Sequence, residues 1–319
     1  MLAIALAAAL AAASASPVDT SAQAPTQTYV EIPGPLKGTQ LAPATGAKAP
    51  VALILPGSGP TDRDGNSLLG IKAATYRLLA EGLAAQGVTT VRIDKRGQFA
   101  SGAAAADGNK VFIPDLAADA NAWAADLKKR TGARCVWLIG HSEGALVAEL
   151  AGQTGKDICG LVLVAGSGER LSNTLRRQLK AGVPPGPVLD QSLKDVATLE
   201  AGGDVDVSDL PPVLQRLFAP QVQPFMKSAF AYDPPTLLKA YKGPVLIVQG
   251  KTDIQITPDN AATLKAAKPD AVLVELDGVN HVLKVAPLDR PGNMAAYSDP
   301  SLPLAPGVAE AIAGFIKTH

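Results

Sequence analysis

Histidine is scarce in this sequence, with three residues, and cysteine scarcer, with two. No His, Cys and Asp residues cluster at metal-ligand spacing, and no phosphate-binding loop is complete, so neither a metal nor another cofactor is expected. Neither sign of charge is in excess, since 29 Lys and Arg balance 29 Asp and Glu. A neutral chain lacks the basic footprint that nucleic acid or an anionic membrane would require. A long hydrophobic run is also missing: the apolar stretch after Met1 ends near Ala13, too short to span a bilayer. No internal repeat is evident. What is present is a chain of 319 residues, 47% apolar and 18% charged, which suffices for a sizeable core and argues against disorder. The length allows two domains, but α/β chains of this size are often one domain with an inserted piece.

Residues 1–24 are expected to be a secretory signal peptide and the start of a linker. Ala13-Ser14-Ala15 offers a small-residue cleavage site and Ala22-Gln23-Ala24 a later one. No Lys or Arg precedes the apolar run, and an Ala-rich N-terminal helix is the alternative. The expectation is an exported protein, periplasmic or secreted, with no stable membrane anchor after cleavage. Cys135 and Cys159 could then pair. Each is read as lying just before an apolar strand, the two strands being neighbours; two buried free thiols are the alternative. Residues 25–50 are rich in Pro, Ala, Thr and Gly and read as an N-terminal linker. They carry one strand near Gln27–Ile32 and a turn at Pro33-Gly34-Pro35.

From Val51 onward short apolar runs alternate with longer amphipathic stretches. Strands are predicted at Val51–Leu55, Thr89–Ile93, Val136–Ile139, Leu161–Ala165, Val245–Gln249 and Ala271–Glu275. Helices are predicted at Tyr76–Ala85, Leu116–Lys129, Glu143–Ala151, Asp259–Ala267 and Val308–Lys317. Strands without polar alternation are buried on both faces, which implies a mostly parallel, doubly wound sheet covered by helices on both sides. Ligands of such sheets sit at the carboxyl ends of the strands. Residues 167–242 break the rhythm. They contain no strand, only helical stretches at Leu171–Lys180, Gln191–Leu199, Val213–Phe218 and Phe225–Phe230. A helical cap inserted between two strands is expected there, the whole domain being 51–319.

Gly140-His141-Ser142-Glu143-Gly144 lies between a predicted strand and a predicted helix. A sharp turn at that junction would hold Ser142 in a strained backbone conformation, with glycines on both sides because side chains there would strike neighbouring backbone. The helix N-terminus beneath the serine favours developing negative charge. A serine hydroxyl needs a base. His141 is too close to the serine and points elsewhere, and His319 is terminal. His281 remains, in a loop after a late strand. Asp253, after the Val245–Gln249 strand, is the expected acid that orients His281. Glu275 and Asp277 are too near His281 in sequence, and Asp259 is expected to begin a helix. An oxyanion needs two N–H donors, expected from the backbone of Glu143 and of Ser58 in the Gly57-Ser58-Gly59 turn. The Glu143 carboxylate is expected to point away. Asp62, Arg63, Asp64 and Arg96 are read as loop-tying ion pairs; the other reading gives Arg63 a substrate carboxylate to hold.

The chain resembles bacterial α/β-hydrolases of the carboxylesterase and serine-aminopeptidase-like group. The residues that carry the likeness are Leu55-Pro56-Gly57-Ser58-Gly59-Pro60-Thr61-Asp62-Arg63-Asp64-Gly65-Asn66, Arg92-Ile93-Asp94-Lys95-Arg96-Gly97 and the segment around Ser142. Asp253 and His281 follow in the family's order, and Val222-Gln223-Pro224-Phe225 and Tyr232-Asp233-Pro234 also match. The resemblance implies the α/β-hydrolase fold and a carboxylesterase acting on short acyl esters. Pro56 departs from it, since many relatives carry His before the glycine, and this alters how the loop is braced. The expectation is a serine hydrolase of short-chain or small uncharged esters, with a small-molecule partner and no stated oligomeric state. A peptidase or amidase, for which Asp62, Arg63 or Asp64 would supply a site for a charged terminus, and an acyltransferase would use the same triad. A non-catalytic binding module is the alternative from another class.

Overall fold

The computed structural model describes residues 26–31, 35–44 and 49–319. The expected signal peptide and part of the Pro33-Gly34-Pro35 turn lie outside them. Eight strands form one sheet: β1 (Thr26–Glu31), β2 (Lys37–Ala42), β3 (Val51–Leu55), β4 (Thr89–Ile93), β5 (Val136–His141), β6 (Ile158–Val164), β7 (Val245–Gly250) and β8 (Val272–Leu276). Their spatial order is β1-β2-β4-β3-β5-β6-β7-β8. The pairs β1–β2 and β2–β4 are antiparallel, and every later pair is parallel.

The apolar runs behave as their composition demands. Every residue of β3, β4, β5 and β7 is buried. Side chains alternate between the sheet faces, so Leu53, Leu138, Leu163 and Ile247 join one core and Ile54, Ile139, Val162 and Val248 the other. The first core is closed by α2 (Ile113–Thr131), α3 (Glu143–Gly152) and α9 (Pro258–Ala267), through Trp123, Leu127, Leu146 and Leu264. The second is closed by α1 (Thr75–Ala85) and α11 (Val308–Thr318), through Leu79, Leu83, Ile312 and Phe315. Between β6 and β7 the chain forms α4 (Leu171–Gly182), α5 (Pro187–Glu200), α6 (Pro212–Leu217), α7 (Gln223–Phe230) and α8 (Pro234–Ala240). A last short helix, α10 (Arg290–Ala295), follows the expected base loop.

Two details differ from the sequence reading. The region before Val51 holds a second strand, β2, whose Lys-Gly-Thr-Gln-Leu-Ala composition carries no apolar periodicity. It forms because β1 and the edge of β4 both offer it antiparallel partners. Cys159 is the second residue of β6 rather than the residue before it. Cys135 precedes the neighbouring β5, and a disulfide joins the two across a Cα separation of 5.1 Å, within the range such bonds need.

The chain passes from β3 to β4 in one direction along the sheet and to β5 in the other. Loops leaving β3 and β5 therefore diverge at the carboxyl edge, and a crevice opens between them.

Candidate active site

Ser142 follows β5 and immediately precedes α3, with φ 55° and ψ −120°. A non-glycine residue held there stores roughly 1–3 kcal/mol of strain. The flanking glycines are required by close approach. A Cβ on Gly140 would lie 2.2 Å from the Gly144 carbonyl oxygen, and one on Gly144 would lie 2.2 Å from the Leu55 carbonyl oxygen. The Glu143 N–H is at the first position of α3, among the amides that have no carbonyl of their own helix to meet.

Asp253 lies in the turn after β7 and is 2% exposed. Its Oδ1 accepts the N–H groups of Gln255 at 2.8 Å and Ile256 at 2.9 Å. Its Oδ2 accepts from His281 Nδ1 at 2.7 Å. A carboxylate can only accept, so the Nδ1 proton is fixed and Nε2 of the neutral ring keeps its lone pair. The competing acids are elsewhere: Asp277 is exposed and pairs with Lys251, and Asp259 sits in the first turn of α9. Ser142 and His281 line one cleft of about 980 Å³ at the carboxyl edge, together with Ser58 and Glu143. Among the described residues Ser142 Oγ has no hydrogen-bond partner, an arrangement common before a substrate tightens such a pair.

Three further residues, none of them predicted to act in the site, brace these loops. Tyr76, from α1, accepts the Gly57 N–H at 2.7 Å and meets His141 Nδ1 at 3.0 Å. His141 Nε2 lies 2.8 Å from the His281 carbonyl oxygen. A carbonyl only accepts, so Nε2 carries the proton and the tyrosine hydroxyl donates to Nδ1. A chain of hydrogen bonds thus runs from the His281 loop to the Gly57 loop. Burial, and then the His281 ring beside it, push the His141 pKa down to about 3, so this ring stays neutral. Burial raises the Tyr76 phenol well above its ordinary value.

Lys95, two residues past β4, is buried and donates from Nζ to the Gly57 carbonyl oxygen at 2.8 Å. Its Nζ also lies 3.7 Å from Glu143 Oε1. Burial lowers the lysine pKa, and Glu143 opposes that fall. The Gly57 carbonyl and the Ser58 N–H belong to one planar peptide unit and point in opposite directions. Lys95 on one side therefore turns the Ser58 N–H to the other. The signal available in sequence was a lysine two residues after the strand end at Ile93, where the chain turns at the carboxyl edge.

The other charges are scaffold. Arg63 grips Asp94, its Nε lying 3.0 Å from Oδ2, and reaches Thr39. Arg92 pairs with Asp64 at 2.7 Å. Asp62 accepts the N–H groups of Asp64 and Asn66. Arg96 grips Asp119 and donates to the Ala104 carbonyl.

Solved structures with the same architecture include Est1E of Butyrivibrio proteoclasticus with ferulic acid bound. It is 17% identical, with 91% of this chain and 96% of that one covered and a TM-score of 0.55. The esterase Pf2001 of Pyrococcus furiosus is 18% identical over 92% of this chain and 91% of that one, at a TM-score of 0.56. The dienelactone hydrolase of Anabaena variabilis is 16% identical over 93% and 99% respectively, at 0.52. At these identities the likeness is one of fold. No curated protein matches the sequence. The model of the alpha/beta hydrolase family matches residues 52–297, and the chain therefore belongs to that family.

Proposed function

We propose that the protein is a serine carboxylic-ester hydrolase working through an acyl-enzyme. The observation that carries this reading is the 2.7 Å contact of Asp253 with His281 Nδ1, on a histidine that shares a cleft with the strained Ser142. Ser142 Oγ attacks the ester carbonyl while His281 Nε2 takes its proton. The oxyanion receives the N–H groups of Ser58 and Glu143. His281 then protonates the leaving alcohol, and water enters by the same route in reverse. Asp253 keeps the ring in the required tautomer and stabilises its cation. The helices α4–α8 act as a cap over the cleft. Two of the structural relatives carry the word esterase or hydrolase in their own descriptions, which agrees with this reading. Export to an oxidising compartment is part of the proposal, and the Cys135–Cys159 pair supports it.

The test is labelling by a fluorophosphonate probe, with peptide mapping, alongside hydrolysis of p-nitrophenyl acetate and butyrate and of aminoacyl p-nitroanilides. Ser142 is expected to carry the label, Ser142→Ala to lose it, and the esters to be cleaved faster than the anilides. Folded protein that leaves Ser142 unlabelled would overturn the mechanism, and faster anilide cleavage would make it a peptidase.

A further inference from the structure

We propose that the substrate carries a large apolar group on the scale of an octanoyl chain and no positive charge, not the short acyl group that the sequence suggests. This rests on the serine-esterase reading. The cleft at Ser142 and His281 encloses about 980 Å³. Drug-sized ligands fill pockets of about 300–1,000 Å³, so an acetyl or butyryl group would leave most of this space to water.

The wall formed by the helical segment is mainly apolar, with Thr174, Gln178, Arg216 and Gln221 its polar members. Leu171 and Leu175 of α4, Leu217 of α6, and Phe225, Met226 and Phe230 of α7 all line the cleft. An amphipathic helix presents such side chains to whatever must be buried, and here they are turned to a volume that substrate can enter. The entrance continues the pattern, with Leu69 79% and Val213 63% exposed at its lining.

The charges of the cleft exclude one class of substrate. Glu143 is the one carboxylate among the described residues that line it, and Lys95 already stands 3.7 Å from it. An ammonium group entering the cleft would meet a carboxylate already neutralised by Lys95 and two further cations, Arg96 and Arg216, on the lining, and burying a charge among like charges is strongly unfavourable. Amino-terminal peptides and choline-type esters are therefore poor substrates. Neutral esters gain instead, because each methylene moved from water to an apolar wall strengthens binding about fourfold.

The experiment uses the full disulfide-bonded chain and two ester series kept below their aggregation limits. In p-nitrophenyl acetate, butyrate and octanoate the acyl chain grows; in ethyl, butyl and octyl acetate the alcohol grows. In at least one series kcat/KM is expected to rise about tenfold or more from the shortest to the longest member. Phe225→Gln is expected to reduce the ratio of longest to shortest. Choline butyrate is expected to be cleaved about tenfold or more slowly than its uncharged isostere, 3,3-dimethylbutyl butyrate. Flat or falling kcat/KM in both series, or equal cleavage of the choline ester, overturns the inference. Ser142 labelling by the fluorophosphonate is run on the same preparation. If the label forms and the series are flat, the substrate class alone is wrong; if no label forms, the esterase reading falls with it.

Discussion

Replacing Lys95 with methionine separates two things that the buried lysine does, one for stability and one for chemistry. The side-chain volume is nearly kept, so the change removes a charge more than it opens a cavity. Lys95 Nζ and Glu143 Oε1 are 3.7 Å apart, which at an effective dielectric of about 20 is roughly 4.5 kcal/mol of attraction. Glu143 is 2% exposed, so it cannot turn to water when its partner is gone. Breaking such a pair from one side destabilises by about 3–5 kcal/mol, and a lower melting temperature is expected. The chemical effect comes through the Gly57 carbonyl, 2.8 Å from the ammonium. Without that clamp the Gly57–Ser58 peptide can rotate and its N–H loses its aim. Loss of a whole oxyanion donor lowers kcat about 10²–10³-fold. Here the proposed donor, the Ser58 N–H, stays on the chain but is no longer held, so kcat is expected to fall by about 10–100-fold, with KM nearly unchanged. The second variant decides the matter. Lys95→Met with Glu143→Gln removes both charges, so thermal stability is expected to return most of the way while kcat stays low. Steady-state kinetics on a p-nitrophenyl ester and thermal unfolding of the wild type and both variants suffice. If kcat recovers together with stability in the double variant, Lys95 acts only on folding and the peptide-orientation argument is wrong.

Asp253→Asn is expected to leave the fold intact and lower kcat by about 10⁴-fold, because the amide favours the wrong tautomer of His281; activity within tenfold of wild type would exclude Asp253 as the orienting acid. Unreduced protein is expected to resist alkylation at Cys135 and Cys159, by intact mass. Replacing both by alanine is expected to reduce stability by about 3.5 kcal/mol for the sequence separation of 24. Glu149, on α3, is buried with both carboxylate oxygens unpartnered, and burial, with Asp233 adding to it, holds its pKa well above the ordinary value. The unfolded chain releases this proton first, so the stability that Glu149 contributes is full below about pH 4.5 and falls as pH rises towards its folded value. Glu149→Met is therefore expected to raise stability at pH 7 by about 1–3 kcal/mol, with less gain at pH 4.5, by denaturant unfolding at both pH values.

The sequence by itself determined the six strands from β3 to β8, the helices that alternate with them, and the serine elbow. Apolar runs long enough for a strand and free of polar alternation have few places to go except the middle of a covered sheet, and β3, β5 and β7 are there. Gly140 and Gly144 were legible because the demand they answer is local, a strand turning into a helix within five residues. His281 was reached by elimination among three histidines, and Asp253 by its place after a strand. Only the tertiary structure decided how the site is held. Tyr76, Lys95 and His141 have partners 19, 38 and 140 residues away. Their roles depend on which strand lies beside which, and neither propensity nor spacing carries that information. The same holds for β2, which is a strand because of its neighbours; for the disulfide, the neighbouring strands were legible and the structure decided the 5.1 Å Cα separation that lets the bond form. The size of the cleft is the furthest from the sequence of all. It is the space left between the helices α4, α6 and α7 and the sheet edge, a difference between packed surfaces rather than a property of any segment.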